Sequence, residues 1–181
     1  MPAYVENLNY ILSLGTIALQ IFCFIIVANF LFFRKRDNAF LKFLHDYTFI
    51  IGFLTALGAT ALSLFYSSVV GFPPCELCWM QRIFIYPQVI LFGMELYKKE
   101  KMIVDYSLVL AFVGTMISLF HIYVENGGAA NLACSTGSTT EVSCAIRYIY
   151  EFGYVTMPVM AFSMGVFMIL ILSNYKYMSR K

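Results

Sequence analysis

Residues 10–33 form a run of 24 positions without one charged side chain. A helix rises about 1.5 Å per residue, and about 20 mostly apolar residues cross the hydrocarbon core of a bilayer. Four more stretches share this character. Residues 47–75 are uncharged, and their helix should stop near Gly71, because Pro73 and Pro74 cannot continue it. A third stretch covers 79–97, with Arg82 and Glu95 near its ends. A fourth covers 103–124, with Asp105 and His121 near its ends, and a fifth covers 153–175. Five membrane spans are predicted. Of all residues, 61% are apolar and 12% charged, against about a quarter charged in soluble domains. That is too little polar surface to face water on all sides. A net charge of +2 offers no footprint for nucleic acid.

The first stretch does not read as a cleaved signal peptide. Glu6 is the only charge before it, and its apolar run is too long for such a segment. The basic cluster Arg34, Lys35, Arg36 follows it instead, and basic residues stay on the cytoplasmic side. The N-terminus is therefore expected outside. Counted alternately from there, Lys98, Lys99, Lys101, Lys176, Arg180 and Lys181 all fall in the cytoplasm with the C-terminus. The loop holding Cys75 and Cys78 falls outside, as does the loop 125–152 with Cys134 and Cys144. Disulfides form and persist on that side, so charge and cysteine placement agree on one topology. The second outer loop is rich in Gly, Ser and Thr and reads as irregular, with a short interfacial helix expected over 146–150.

The sequence Phe72-Pro-Pro-Cys75-Glu-Leu-Cys78-Trp-Met-Gln-Arg82 carries the chemistry. If a helix starts around Cys75, then Cys78 and Arg82 share a face with it, three and seven residues on. Free backbone N–H groups and the positive end of the helix dipole lower a thiol's pKa, and Arg82 adds a fixed positive charge. Such a pair can cycle between dithiol and disulfide and pass electrons to an acceptor dissolved in the membrane. Arg82 alone could merely extend to the interface; its register with the cysteines favours the functional role. Zinc held by Cys75, Cys78, Cys134 and Cys144 is the rival reading, and it competes poorly with disulfide formation in an oxidising compartment. Glu95 is expected at the cytoplasmic interface beside Lys98 and Lys99.

Cys134 and Cys144 alone would read as a structural staple. An exposed disulfide in a flexible loop is also the exchange-competent kind, and this one shares a membrane side with a redox motif. His121 sits at the depth expected of a carrier's head group, where it could bond a carbonyl or trade a proton; bonding to a neighbouring helix is the plain alternative. His45 is remote from the cysteines. Cys23 lies alone in an apolar run and reads as a small apolar side chain.

Cys75-x-x-Cys78-Trp-Met-Gln-Arg82, followed by a long span with Pro87, resembles the DsbB/BdbC disulfide bond formation proteins, which are thiol:quinone oxidoreductases. The resemblance extends over residues 47–175, through His121, Cys134/Cys144 and Phe152-Gly-Tyr-Val-Thr-Met-Pro158, and is nearer the BdbC branch. It implies an all-α membrane protein: a four-helix transmembrane redox domain over 46–181, plus one extra N-terminal transmembrane helix and basic loop over 1–45. It also implies a membrane quinone (ubiquinone or menaquinone) bound near Cys78 and Arg82, with His121 as a further candidate. The expected partner is a secreted or periplasmic DsbA-like thioredoxin-fold protein that exchanges with Cys134. Cys144 would then attack Cys75 and leave Cys78 beside the quinone. The expected location is the inner (plasma) membrane. The purpose of the extra helix is not legible.

Two rival functions stay open at this point. A vitamin K epoxide reductase-like protein also couples two cysteine pairs to a quinone, but there the Cys-x-x-Cys pair comes late in the chain. A transporter or scaffold with structural disulfides is the non-enzymatic alternative. Ion coupling usually requires ionisable groups at mid-membrane, and here they lie at or near span ends.

Overall fold

The computed structural model describes residues 3–32, 39–98, 102–128 and 143–179. They form α1 (Ala3–Phe32), α2 (Ala39–Ser68), α3 (Glu76–Lys98), α4 (Met102–Glu125) and α5 (Met157–Met178). Four of these, α1, α2, α4 and α5, are long and apolar enough to cross a membrane. The fifth expected span, α3, is 23 residues long, but Gln81, Arg82, Gln88 and Glu95 make it more polar. Three of them, Gln81, Gln88 and Glu95, are buried and recur every seven residues, so they share one face. That register corrects the expectation for Glu95. It is 3% exposed, turned into the bundle and away from the interface.

The core is apolar and lies between α2, α3, α4 and α5, around Leu44, Phe92, Val104, Phe167, Met168, Ile171 and Leu172. Apolar contact alone does not hold helices together in lipid, so close approach at small residues matters. Gly52 of α2 accepts the Phe92 ring of α3, and Gly165 of α5 accepts Thr115 of α4. The buried residues of α1 (Val5, Asn9, Ser13, Thr16, Cys23, Ile26) form one stripe at helical spacing. Cys23 and Ile26 of that stripe join the core. At the end away from the cysteines, Lys176 pairs with Asp105, and Asn174 Nδ2 donates to the Leu41 carbonyl at 3.0 Å.

Gly71 ends the α2 turn with φ +82, a left-handed conformation that glycine adopts without strain. Pro73 and Pro74 then keep the chain extended until α3 begins. Residues 146–150, expected as a short helix, are not helical. Local contacts favour the irregular path. Arg147 Nη2 donates to the Glu125 carbonyl and to Asn126 Oδ1, both at 2.9 Å, capping α4. Tyr148 stacks on Phe72, and Ile149 buries itself beside Val5 and Tyr66.

Candidate redox site

Cys75 is the residue before α3, and its carbonyl accepts the Trp79 N–H at 3.1 Å. The helix therefore starts where the Pro-Pro-Cys sequence predicts, and Cys75 takes the N-cap position, next to unsatisfied backbone donors. One thiol hydrogen bond joins Cys75 Sγ and Cys78 Sγ at 3.1 Å, and both cysteines are free. The Cys75 thiol is pulled down to about 4, first by hydrogen bonding from Cys78; His121 and the Cys78 backbone N–H add to this against the opposing effect of burial. The remaining proton belongs to Cys78. The hydrogen bond to the Cys75 sulfur pushes that thiol up first, burial and then the Cys75 charge push it further, and Arg82 pulls the other way.

Cys144 arrives from the second loop and is buried against the same pair, within the cluster of Cys75, Leu77 and Val124. It is disulfide-bonded. Cys134 lies outside the described residues. The Cys75 sulfur, a His121 ring nitrogen and the Cys144 sulfur all lie within 4.8 Å of one another. Three such ligands could suggest zinc, but a sulfur committed to a disulfide is not a thiolate ligand.

His121, a candidate for bonding a carrier or a neighbouring helix, is buried beside the sulfurs. It is 3% exposed, and Nε2 approaches Cys75 Sγ at 3.8 Å and the Cys144 carbonyl at 3.2 Å. Nδ1 faces Gln81 Nε2 at 3.4 Å. This position sets it between the two sulfur centres. It does not line the cavity described next.

That cavity has a volume of about 530 Å³, within the roughly 300–1,000 Å³ of small-molecule sites. Cys78, Gln81, Arg82 and Tyr86 line it from α3, with Ser63 from α2 and Tyr148 from the loop. The rest of its wall is chiefly apolar and includes Leu19, Leu54, Leu62, Ile85 and Met164. Arg82 is held in place by Ser63: Nε donates to Oγ at 3.0 Å and Nη2 to the carbonyl at 3.1 Å. Its guanidinium also lies 5.1 Å from the Trp79 ring centroid. Burial and the nearby cysteines push the Tyr148 phenol up, so it keeps its proton. Sequence reasoning missed Ser63, Gln81 and Tyr148. Gln81 could have been suspected from its place in the motif, whereas Ser63 and Tyr148 come from distant segments.

Residues 45–174 match the family model of the disulfide bond formation protein DsbB. The chain belongs to this family. Among curated DsbB-family relatives it is 42% identical over 115 residues to a probable disulfide formation protein C of Bacillus cereus, covering 60% of this chain and 79% of that one. It is 31% identical over 139 residues to a probable disulfide formation protein C 2 of Bacillus anthracis, covering 76% and 96%. With the disulfide bond formation protein C of Bacillus subtilis it shares 37% over 111 residues, covering 60% and 77%. No solved structure matches the chain. The Cys-x-x-Cys pair, His121 and Cys144 all lie inside the matched DsbB region, and α1 lies outside it.

Proposed function

We propose that this DsbB-family chain is a thiol:quinone oxidoreductase that reoxidises a DsbA-like thioredoxin-fold partner outside the cytoplasm. One observation carries the reading: Cys75 Sγ lies within 4.8 Å of the Cys144 sulfur, while its neighbour Cys78 lines a chiefly apolar cavity. The cavity suits a molecule with a polar redox head and an apolar tail, since Cys78, Arg82 and Tyr86 gather in a wall that is otherwise mostly apolar.

The partner's dithiol reduces the second disulfide through Cys134 and leaves the partner oxidised. The Cys144 thiolate then attacks Cys75 Sγ in a Cys75–Cys78 disulfide, and Cys78 departs as a thiolate. With Cys75 tied up in the mixed disulfide, the neighbouring charge that burdens Cys78 is gone and the pull of Arg82 remains. The Cys134 thiolate next attacks Cys144 Sγ, and Cys75 leaves as a thiolate. This restores the second disulfide and leaves the first pair reduced. Closure of the Cys75–Cys78 disulfide releases two electrons and two protons, which a quinone held against Cys78, Arg82 and Tyr86 would take up as the oxidising cosubstrate. His121 serves the exchange step, stabilising negative charge on Cys75 and handling a proton between the two centres.

Lys176 and the α2 start lie at the end of the bundle opposite the cysteines. Basic residues there support a cytoplasmic assignment for that end, in a plasma membrane. Purified protein supplied with a quinone should oxidise a thioredoxin-like dithiol, and Cys78→Ser should abolish quinone reduction. Unchanged turnover in that variant would refute the mechanism.

A further inference from the structure

Helix α1 lies outside the residues that match the DsbB family, and the relay above does not use it. It is nonetheless fixed to the bundle. Gln20 Nε2 donates to Ser163 Oγ of α5 at 2.9 Å, and Tyr154 Oη donates to Gln20 Oε1 at 2.7 Å. It also meets α2 at two separated places. Toward the cysteine end, Tyr66 Oη donates to Asn9 Oδ1 at 2.5 Å. Toward the other end, the Phe22 and Phe40 rings meet edge-on with centroids 5.8 Å apart.

Gly15 of α1 and Gly58 of α2 lie between these two contacts, and a methyl added at either would meet nothing within 4 Å. Both glycines line the cavity that also reaches Cys78 and Arg82, together with Leu12, Thr16 and Leu19 of α1. Two more lining residues, Ile11 of α1 and Leu54 of α2, are 63% and 60% exposed. The cavity therefore opens sideways, through a gap between α1 and α2 in the apolar part of both helices.

We propose that α1 is the second wall of the carrier's tail site and that the Gly15–Gly58 gap is its lateral portal to the lipid. The proposal rests on the quinone reading of the cavity. An apolar tail gains nothing by passing the polar cysteine end, whereas the gap lets it stay in hydrocarbon from lipid to site. The tail then lies against Leu12, Thr16 and Leu19, with the head at Cys78 and Arg82. The extra helix thereby selects carriers by their tails and leaves the thiol chemistry untouched.

Trp79 is the only tryptophan and stacks beside Arg82, so quenching of its fluorescence reports binding without turnover. Purified protein in detergent would be titrated with a long-tailed quinone and with a tailless ring analogue. Gly15→Phe should weaken the long-tailed ligand by about tenfold or more, the scale on which a pocket discriminates a few methylenes. It should leave the ring analogue unchanged, and Gly15→Ala should change neither. Arg82→Ala should weaken both ligands and so tests the cavity reading itself. If Arg82→Ala weakens both while Gly15→Phe leaves both intact, the cavity reading stands and the role of α1 falls. Equal weakening of both ligands by Gly15→Phe also overturns it, since that indicates general distortion. If neither variant affects binding, both readings fall together. The unfolding temperature of Gly15→Phe in detergent should match that of the parent protein, which checks that the variant is folded.

Discussion

A thiolate at position 75 has several stabilising neighbours: the Cys78 thiol, the Cys78 backbone N–H and His121. In the reduced protein the pair therefore carries one negative charge over a wide range. Its thiolate ultraviolet absorbance should persist as pH falls below neutral and vanish near about 4. A stability effect follows, with a definite sign. Between about 4 and the ordinary thiol value of 9.0, the folded pair holds one proton fewer than the unfolded thiols, so stability of the reduced chain rises with pH in that window. Thermal unfolding of reduced protein should show this rise, and Cys75→Ser should flatten it. His121→Ala should move the absorbance step upward. It should also slow exchange between the cysteine pairs by roughly 100-fold, the low end for a lost acid–base group, with quinone KM little changed. Arg82 acts at the other sulfur. Arg82→Ala loses two charge-assisted hydrogen bonds to Ser63 and should raise quinone KM by about tenfold or more. Lysine should rescue only partly, because it lacks the fork that engages both Ser63 oxygens. Steady-state kinetics that separate KM from kcat decide this.

At the scale of elements, spacing made most of the helices legible. The long apolar runs marked α1, α2, α4 and α5, and Pro73-Pro74 marked the start of α3. The same patterns could not say which side of a helix would meet a neighbour. Glu95 looked interfacial because it stands near Lys98, yet its register with Gln81 and Gln88 turns it inward. Residues 146–150 looked helical because their local pattern allows it, but Arg147, Tyr148 and Ile149 each find a partner that an interfacial helix would forgo. The close helix contacts were equally hidden, since a glycine reads the same whether or not a ring sits over it. A side chain at Gly52 would enter the Phe92 ring, with ring carbons from 2.6 Å. One at Gly165 would meet Thr115 Oγ1 and, at 3.2 Å, its Cβ. Gly52→Val and Gly165→Val should each cost about 1–3 kcal/mol by overpacking, read as a fall in unfolding temperature in detergent. Gly58→Ala meets nothing and should be neutral by the same measurement.

The whole molecule brings together three segments that sequence spacing could not connect. Cys75 precedes α3, His121 is in the last turns of α4, and Cys144 returns in the loop before α5. The motif identified the thiol pair, but only the packed bundle turns His121 away from the cavity and toward the sulfurs, and only the irregular loop buries Cys144 beside them. The arrangement implies a specific covalent connection. With its sulfur within 4.8 Å of Cys75, Cys144 is poised to attack there, and Cys78 is the group that must leave. In the double variant Cys78→Ser/Cys134→Ser both resolving thiols are gone, so Cys75 cannot return to its own pair and Cys144 cannot return to Cys134. Once the remaining Cys75 and Cys144 are reduced and then mildly oxidised, a Cys75–Cys144 disulfide should accumulate, detected as one cross-linked peptide by mass spectrometry after proteolysis. His121→Ala should slow its formation without changing its identity, because the histidine assists the exchange while packing sets the distance. A cross-link at Cys23, which is buried in the apolar core of the bundle, or no cross-link at all, would show that the second loop leaves its place against α3 when its disulfide opens. The relay would then need a moving loop in place of the fixed contact described.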